Sequence, residues 1–257
     1  MQAFYNSFYA AVEHSSVHAE FCTRVFGRNL CQHGFADMAQ LNALIAAVRI
    51  EPGSSVLDIG GGNGMIAEYI SDRTGAHVTG LDFSPDAIER ATARTAAKAD
   101  RLAFVVGDIN ALKVSSAAYD VILSIDSIYF SDDYARTVCD FTAALRPGGR
   151  LGFLYSYGRE PWVAKTDFPT ENLAPERTPL GVALTACGLT FTVHDFTVQD
   201  HQLALRRKGI LSELRPQFEA EGLQFIWENR MGDANGVAAA VEEGLHRRYL
   251  YVAKPRP

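Results

Sequence analysis

Apolar residues follow two different spacings along this chain, and their alternation predicts a succession of strands and helices. Between residues 50 and 155, short apolar runs are separated by amphipathic segments at helical spacing. The apolar runs lie at 56–59, 76–82, 102–108, 119–126 and 151–155. Because strands that alternate with helices form a parallel sheet with both faces covered, this region is predicted to be an α/β domain.

The two ends of the chain are predicted to add helices to this domain. Residues 1–50 carry apolar side chains at helical spacing, and a sixth strand is expected at 189–196. About fifty residues, with breaks at Pro216 and Gly222, then precede a last strand at 248–253. We expect one domain in four parts: an N-terminal helical lid (1–50), a core (51–198), a helical cap (199–244), and the last strand with its tail (245–257). An outward arm for oligomerisation is the alternative interpretation of residues 199–244.

A glycine-rich turn follows the first predicted strand. Gly60, Gly62 and Gly64 recur at every second position, so a dinucleotide fingerprint counted from Gly60 fails at Met65, where its third glycine should stand. Asp58 precedes the turn, and a carboxylate there is unfavourable beside a pyrophosphate but favourable beside a cation. The turn is therefore predicted to bind a nucleotide-like ligand other than NAD.

Four aspartates lie at or near the ends of successive predicted strands: Asp58, Asp82, Asp108 and Asp126. Since ligands of parallel α/β sheets bind at the carboxyl ends of the strands, these side chains are expected to converge on one crevice. A cluster of carboxylates needs a metal ion or an organic cation as its partner. Separate strands spread the carboxylates along a groove, which favours a long cation such as S-adenosylmethionine, and no metal site is expected.

These motifs resemble, in their order, those of the class I S-adenosylmethionine-dependent methyltransferases of the small-molecule type. The resemblance covers about residues 50–155 and rests on five motifs, at 56–64, 80–82, 106–109, 119–126 and 145–151. It implies a Rossmann-like, doubly wound, mostly parallel sheet of seven strands, with S-adenosylmethionine as the cofactor. The family normally joins its last two strands by a tight hairpin, so the insertion at residues 199–244 departs from the pattern.

The resemblance also implies how the cofactor is held. Asp58 and the backbone of the glycine turn hold its methionine end, Asp82 binds the ribose hydroxyls, and Asp108 and Ile109 contact the adenine. The implied cofactor-binding residues are Tyr9, Asp58, Gly60, Gly61, Gly62, Asp82, Phe83, Gly107, Asp108, Ile109, Ser124 and Asp126. Bracing of the turn by Asp58 and local backbone bonding by Asp108 are the structural alternatives.

Three residues are the catalytic candidates: His33, Asp126 and Tyr129. Asp126 and Tyr129 follow the fourth strand and are expected to border the transferred methyl group. His33 precedes the helix that leads into the glycine turn, and an ordinary imidazole pKa near neutrality suits a general base. A buried structural histidine is the alternative interpretation.

Composition and charge restrict the partners of the chain. Its formal net charge of −6 argues against binding to nucleic acid or an anionic membrane surface. No apolar run approaches the roughly 20 residues of a membrane span, and the N-terminus shows no secretory pattern, so a cytoplasmic location is expected. The four scattered cysteines are expected to be free thiols. They are Cys22, Cys31, Cys139 and Cys187.

The expected substrate is a small-molecule acceptor with an amine, hydroxyl or carbon acid. Asp126 is followed by Ser-Ile-Tyr and not by the Pro-Pro-Tyr/Phe of enzymes that methylate exocyclic or amide nitrogens. Methylation of a protein or nucleic acid, and a non-catalytic cofactor-binding module, are the alternatives. A homodimer is left open.

Overall fold

Seven strands form one sheet in the computed structural model, which describes residues 2–160 and 162–256. The strands are β1 Ser55–Ile59, β2 His77–Asp82, β3 Leu102–Val106, β4 Tyr119–Ile125, β5 Leu145–Gly158, β6 Leu189–Asp195 and β7 His246–Pro255. They lie in the order β3-β2-β1-β4-β5-β7-β6. β1 to β5 pair in parallel, whereas β7 is antiparallel to both β5 and β6. The predicted mostly parallel, doubly wound sheet of seven strands is confirmed.

Helices flank the sheet at the positions that the apolar spacing indicates. They are α1 Gln2–Val12, α2 Ser16–Phe26, α3 Met38–Ala47, α4 Met65–Thr74, α5 Pro85–Arg94, α6 Tyr134–Ala144, α7 Pro179–Ala186, α8 Thr197–Ala220 and α9 Gln224–Glu242. Hydroxyl and carboxylate side chains begin several of them by accepting a hydrogen bond from a backbone N–H of the first turn. These caps are Ser15, Asp37, Ser84, Asp133 and Thr178.

The central strands are buried on both faces. In β1, Leu57 and Ile59 point to one face of the sheet and pack in the core beneath α6 and α7. Val56 points to the opposite face and packs in a second core beneath α3 and α4. Phe141 and Leu184 cover the first face with side chains that are fully buried. Burial on both faces explains why these strands appear in the sequence as continuous apolar runs.

The insertion between β6 and β7 forms two long helices, α8 and α9, that pack against each other and against α2. Helix α8 passes through Pro216, so the break predicted there is wrong. Because proline has no backbone N–H, the carbonyl of Ser212 has no helical donor at Pro216. Both residues are exposed, so water can replace the missing hydrogen bond. The chain turns instead at Gly222, which has a φ of 71°. Among the described residues no helix is both long and apolar enough to cross a membrane.

A disulfide joins the helices α6 and α7. Cys139 of α6 and Cys187 at the end of α7 are bonded, with their Cα atoms 5.4 Å apart. The prediction of free thiols is therefore wrong for this pair, because packing of α7 against α6 brings together two cysteines that lie 48 residues apart. Cys22 and Cys31 are buried free thiols, as expected.

We expect Gly64→Ala to destabilise the fold more than Gly53→Ala. Both glycines have a left-handed φ, 74° and 81°, at which a side chain costs about 1–2 kcal/mol. A Cβ on Gly64 would also lie 2.3 Å from the ring of Phe104, whereas one on Gly53 meets nothing within 4 Å. Overpacking adds about 1–3 kcal/mol at Gly64 alone. Urea unfolding of both variants measures the difference, and equal losses would contradict this account of the turn.

Candidate functional site

The glycine-rich turn after β1 is packed tightly by residues from distant parts of the chain. Gly60 and Gly62 have positive φ values of 72° and 55°, a conformation that glycine adopts without strain. A Cβ on Gly60 would lie 2.5 Å from the Cβ of Ser127, and one on Gly62 would lie 2.1 Å from the hydroxyl of Tyr9. The turn therefore has no room for a side chain at Gly60 or Gly62, and Tyr9 of α1 packs against it.

Asp82 fixes the turn from the end of β2. Its carboxylate accepts hydrogen bonds from the backbone N–H groups of Gly62 (2.8 Å) and Ser84 (2.9 Å). Burial raises the pKa of Asp82 above its ordinary value, although these hydrogen bonds oppose the shift. A carboxylate offers about four acceptor positions, so Asp82 can still accept a hydrogen bond from a ligand in addition to its bonds to backbone N–H groups.

Asp58 lies beneath the same turn without a full set of partners. The residue is 2% exposed, and its Oδ2 atom has no hydrogen-bond partner in the described structure. Burial, and then the charge of Asp82, raise the pKa of Asp58 to about 7. A buried carboxylate of this kind needs either a proton or a nearby cation. The turn therefore fits a positively charged ligand better than a phosphate.

A cavity of about 710 Å³, part of it open to solvent, lies against the turn. Among the predicted site residues it brings together Tyr9, His33, Gly60, Gly61, Asp82, Phe83 and Asp126. Tyr5 of α1 closes one side, with ring contacts to Phe83 (5.9 Å) and Phe130 (5.8 Å).

The loop between α2 and α3 forms another side of the cavity, and we call residues 30–36 the wall loop. Asp126, which follows β4 with a φ of 54°, anchors this loop by accepting a hydrogen bond from Phe35 N (2.8 Å). The Asp126 carboxylate also forms a buried ion pair with Arg248 of β7. Arg248 in turn donates from Nε to Gln40 (3.0 Å). Asp126 thus positions the cavity wall, and its predicted catalytic role stays a prediction.

Helices α8 and α9 each contribute a fully buried arginine behind the wall loop. Arg230 of α9 donates to the backbone carbonyls of Gln32 and His33. Arg207 of α8 lies over the ring of Phe35, with its Cζ atom 4.5 Å from the ring centroid. The insertion therefore supports the cavity wall from behind.

These arginines were missed by reasoning from the sequence, although a signal was present. Arg207 lies four residues from Leu203 and from Leu211, in the apolar stripe of α8. Arg230 lies in the same way between buried residues of α9. A charged residue at the centre of an apolar stripe is buried with it, and such a charge needs a specific partner.

His33 does not have the near-neutral pKa that a general base would need. It is surrounded by rings, with Phe8 at 4.8 Å and Tyr5 at 5.0 Å, and its Nε2 atom has no partner among the described residues. Burial, followed by the charges of Arg230 and Arg207, lowers the pKa of His33 to about 3. The imidazole is therefore neutral at physiological pH, and the expectation of a near-neutral base is wrong.

Several predicted site residues lie outside the cavity. Asp108 is exposed and accepts a hydrogen bond from Asn110 N (2.8 Å), which is the local backbone bonding that was the alternative interpretation. Gly107 lines a separate groove beside β3 with Asp108, and Ile109 packs in the core. The four strand-end aspartates therefore do not converge on one cavity in this structure.

Two more predicted residues lie near the end of β4 but not in the cavity wall. The hydroxyl of Ser124 is buried and lies 2.7 Å from that of Ser127. The ring of Tyr129 stacks on Tyr155 at 5.3 Å, and its hydroxyl accepts a hydrogen bond from Ser156 N. Tyr129 is thus held against β5 and does not line the cavity.

A metal site is not among the features of this region. Within residues 2–160 and 162–256, no group of three or more His, Cys, Asp or Glu side chains is arranged to hold a metal ion.

Comparison with known proteins finds a family match for the part of the chain that contains the glycine turn and its neighbouring strands. Residues 56–149 match the family model described as a methyltransferase domain. This part of the chain is therefore similar to methyltransferase domains. The match runs from β1 into β5 and therefore contains the turn, Asp58, Asp82 and Asp126.

Relatives and solved structures extend the comparison. Phosphoethanolamine N-methyltransferase 1 of Arabidopsis thaliana is 28% identical over 56% of this chain and 29% of its own length. Phosphoethanolamine N-methyltransferase 2 of Haemonchus contortus, solved with phosphomonomethylethanolamine and S-adenosylhomocysteine, is 18% identical with a TM-score of 0.76, over 98% of this chain and 60% of that one. The [4+2]-cyclase SpnF is 17% identical with a TM-score of 0.67, over 84% and 80%. The chain spans about 40% or less of the length of the curated relatives it matches.

We expect Asp126→Asn and Arg248→Met each to lower the free energy of unfolding by about 3–5 kcal/mol. Each change leaves the other member of a buried ion pair without its partner. The double variant is expected to lose much less than the sum of the two, because no lone charge remains. Urea unfolding of the four proteins of this cycle measures the coupling. Additive losses would show that the two side chains do not stabilise each other as a buried ion pair.

We expect Asp58→Asn to gain stability relative to the natural protein as the pH rises from 5 to 8. The pKa of Asp58 is raised in the folded state to about 7, so its burial destabilises the fold increasingly as the pH rises above the unfolded pKa of about 3.9. The cost levels off above pH 7, and the variant, which cannot ionise, avoids it. The gain is about 2–3 kcal/mol between the two pH values. Urea unfolding at pH 5 and pH 8 tests this, and a constant difference would contradict the shifted pKa.

Proposed function

We propose that this protein transfers a methyl group from S-adenosylmethionine to a small-molecule acceptor. The observation that carries the proposal is the pair of buried acids, Asp58 and Asp82, beneath a glycine turn that excludes side chains. Such a site favours a ligand that has both a positive charge and hydroxyl donors. The methyltransferase domain that contains the turn supports the same conclusion.

The residues present fit this cofactor. Asp58, with an oxygen that lacks a partner, would face the positively charged methionine end, and the backbone of Gly60 to Gly62 would lie along it. The free lone pairs of Asp82 would accept the two ribose hydroxyls, and Phe83 would contact the nucleoside. When bound, S-adenosylmethionine supplies a methyl group on a sulfonium whose positive charge is lost on transfer. The structural neighbour from Haemonchus contortus was solved with its product, S-adenosylhomocysteine.

The acceptor would occupy the part of the cavity between α1, the wall loop and the end of β4. Its sides are aromatic, with Tyr5 and Phe130, and they include the carboxylate of Asp126. Aromatic rings in such a site suit an amine acceptor. The chief task of the chain is then to hold the acceptor in line with the methyl group and to exclude water.

The insertion between β6 and β7 would act as the cap of this acceptor site. Arg207 and Arg230, which support the wall loop from α8 and α9, are the observations in favour of the cap. A small-molecule acceptor also agrees with the similarity to the Arabidopsis and Haemonchus enzymes, which are phosphoethanolamine N-methyltransferases. A cytoplasmic location, the absence of a nucleic-acid partner and the open question of a homodimer stay at the level of prediction.

Calorimetric titration of the purified protein tests the proposal. We expect binding of S-adenosylmethionine and of S-adenosylhomocysteine, and no binding of NAD. Release of S-adenosylhomocysteine in the presence of a panel of small amines, hydroxyl compounds and carbon acids would then identify the acceptor. Failure to bind either sulfur ligand would overturn the proposal. Conversion of a panel compound without release of S-adenosylhomocysteine would instead indicate non-methylating chemistry on this fold, for which the cyclase SpnF is a structural precedent.

We expect Asp82→Ala to weaken cofactor binding about tenfold or more. The change removes the acceptor of two ligand hydroxyls, and a tenfold loss corresponds to about 1.4 kcal/mol. It also frees the N–H of Gly62, which loosens the turn and acts in the same direction. Asp140→Ala, on the exposed face of α6, is the control and should bind as the natural protein does. An unchanged dissociation constant for Asp82→Ala would refute the role assigned to Asp82.

A further inference from the structure

A second groove lies between the end of α3 and the strands β6 and β7. It has a volume of about 660 Å³, part of it open to solvent, and three cations line it: Arg49, Arg150 and Lys254. We call this feature the basic groove. Its other lining residues are uncharged, namely Ala47, Thr190, Phe191, Thr192 and Val252. Three cations in one groove are a local exception in a chain whose formal net charge is −6.

The basic groove is separate from the cavity at the glycine turn. Arg150 of β5 lies level with Val121 of β4, which lies level with Val56 near the start of β1. The glycine turn follows the opposite end of β1, and the two sets of lining residues have no member in common. A ligand of the basic groove is therefore neither the proposed cofactor nor the proposed acceptor.

The cations of the basic groove have no carboxylate partner within residues 2–160 and 162–256. None of the three takes part in an ion pair there. Arg146, which is close to Arg150 in sequence, differs in this respect, because it pairs with Asp120 at 2.9 Å. The three charges are thus available to a ligand.

The strand register places two of these cations directly opposite each other. Leu151 of β5 pairs with Ala253 of the antiparallel strand β7, so the next opposed residues are Arg150 and Lys254. Thr190 of β6 pairs with Lys254 from the other side. Opposed side chains share one face of the sheet with Cβ atoms about 4.5–5.5 Å apart, and like charges there are destabilising. An anion bound between Arg150 and Lys254 would remove this repulsion.

Arg49 brings the third charge from a backbone conformation that favours glycine. It follows Val48, the C-cap of α3, and has a φ of 54°. Many helices have glycine at this position, because a Cβ is unfavourable in the left-handed region. The C-terminus of α3 carries a partial negative charge of about one half, which offsets only a small part of three positive charges. The basic groove therefore keeps a positive surplus.

Hydroxyl groups complete the basic groove on the side of β6. Thr190 and Thr192 are exposed on this strand, which forms one edge of the sheet. The hydroxyl of Thr190 donates only a long hydrogen bond, 3.4 Å, to the carbonyl of Lys254. A hydroxyl can donate to an anionic oxygen, so these side chains add hydrogen-bond donors beside the cations.

We propose that the basic groove binds a small polyphosphate between Arg49, Arg150 and Lys254. A phosphate group carries about 1.5 to 2 negative charges at neutral pH, so linked phosphates match three cations better than a single carboxylate does. The two guanidinium groups offer paired N–H donors to phosphate oxygens, and the ammonium group adds a point charge. The inference goes beyond the proposed function and does not depend on it.

Calorimetric titration of the full chain with sodium tripolyphosphate tests the inference. This probe has no nucleoside, and the titration is repeated with S-adenosylhomocysteine in excess, which competes for the cofactor cavity. We expect saturable binding in both titrations, and binding about tenfold weaker or more when sodium chloride is raised to about 0.5 M, because salt screens exposed charges. No binding at low salt, or binding that S-adenosylhomocysteine abolishes, would overturn the inference.

Variants of the opposed pair localise the site. The double variant Arg150→Gln with Lys254→Gln removes both charges and is expected to weaken tripolyphosphate binding about tenfold or more. Without ligand its melting temperature should be no lower than that of the natural protein, because a repulsive pair is removed. Arg73→Gln, which changes an exposed arginine of α4, is the control and should bind as the natural protein does.

Arg49→Gly tests the third cation and keeps the experiment decisive if the double variant does not fold. Glycine adopts a φ of 54° without strain, so this variant should fold. We expect it to bind tripolyphosphate about threefold more weakly or worse. Binding that Arg49→Gly and the double variant leave unchanged, or that Arg73→Gln weakens equally, would overturn the inference.

Single-stranded DNA of about 20 nucleotides is the second probe, because a nucleic-acid backbone presents the same phosphate chemistry. The net charge of −6 repels a long polyanion, so DNA is expected to bind more weakly than tripolyphosphate. Tighter binding of DNA that is lost in the double variant would identify a nucleic-acid surface and overturn the proposal of a small ligand.

Discussion

The buried ion pair between Asp126 and Arg248 is the interaction that joins the separate parts of this site. Asp126 stands at the end of β4 and Arg248 in β7, so the pair ties a strand of the core to the strand that follows the insertion. The same carboxylate holds the wall loop through Phe35 N. A buried charge pair adds little net stability compared with apolar residues, but it is strongly directional. Its main effect is therefore to set where the wall of the cavity lies.

The raised pKa of Asp58 indicates that this carboxylate destabilises the folded state when it is ionised. A carboxylate with an unpaired oxygen and a pKa of about 7 is less stable than a neutral residue of the same shape. Such a cost is common at functional sites, and it agrees with the proposed cationic ligand, which would compensate the charge.

Much of the fold could be predicted from the sequence because its signals are local. The spacing of apolar residues gives β1 and α4, and three glycines with positive φ mark the turn between them. Asp82 could be placed beside that turn because the carboxyl ends of adjacent parallel strands meet. The disulfide between Cys139 and Cys187 depends on contacts between helices far apart in the chain, and the continuous helix through Pro216 depends on solvent exposure. Neither has a local signal.

The candidate site likewise has one part with local sequence signals and one part without them. This difference explains why the cofactor is easier to predict from the sequence than the acceptor. The turn, Asp58 and Asp82 lie within 25 consecutive residues, 58–82, and inside the segment that matches the methyltransferase domain. The acceptor side is built from α1, the wall loop, β4, α8, α9 and β7. Apart from β4, these elements lie outside the matched segment, and only the folded structure brings them together. The part of the chain that matches the methyltransferase domain is thus the part that we propose holds the cofactor. On the same proposal, the specificity for the acceptor comes from the remainder of the chain, which includes the insertion.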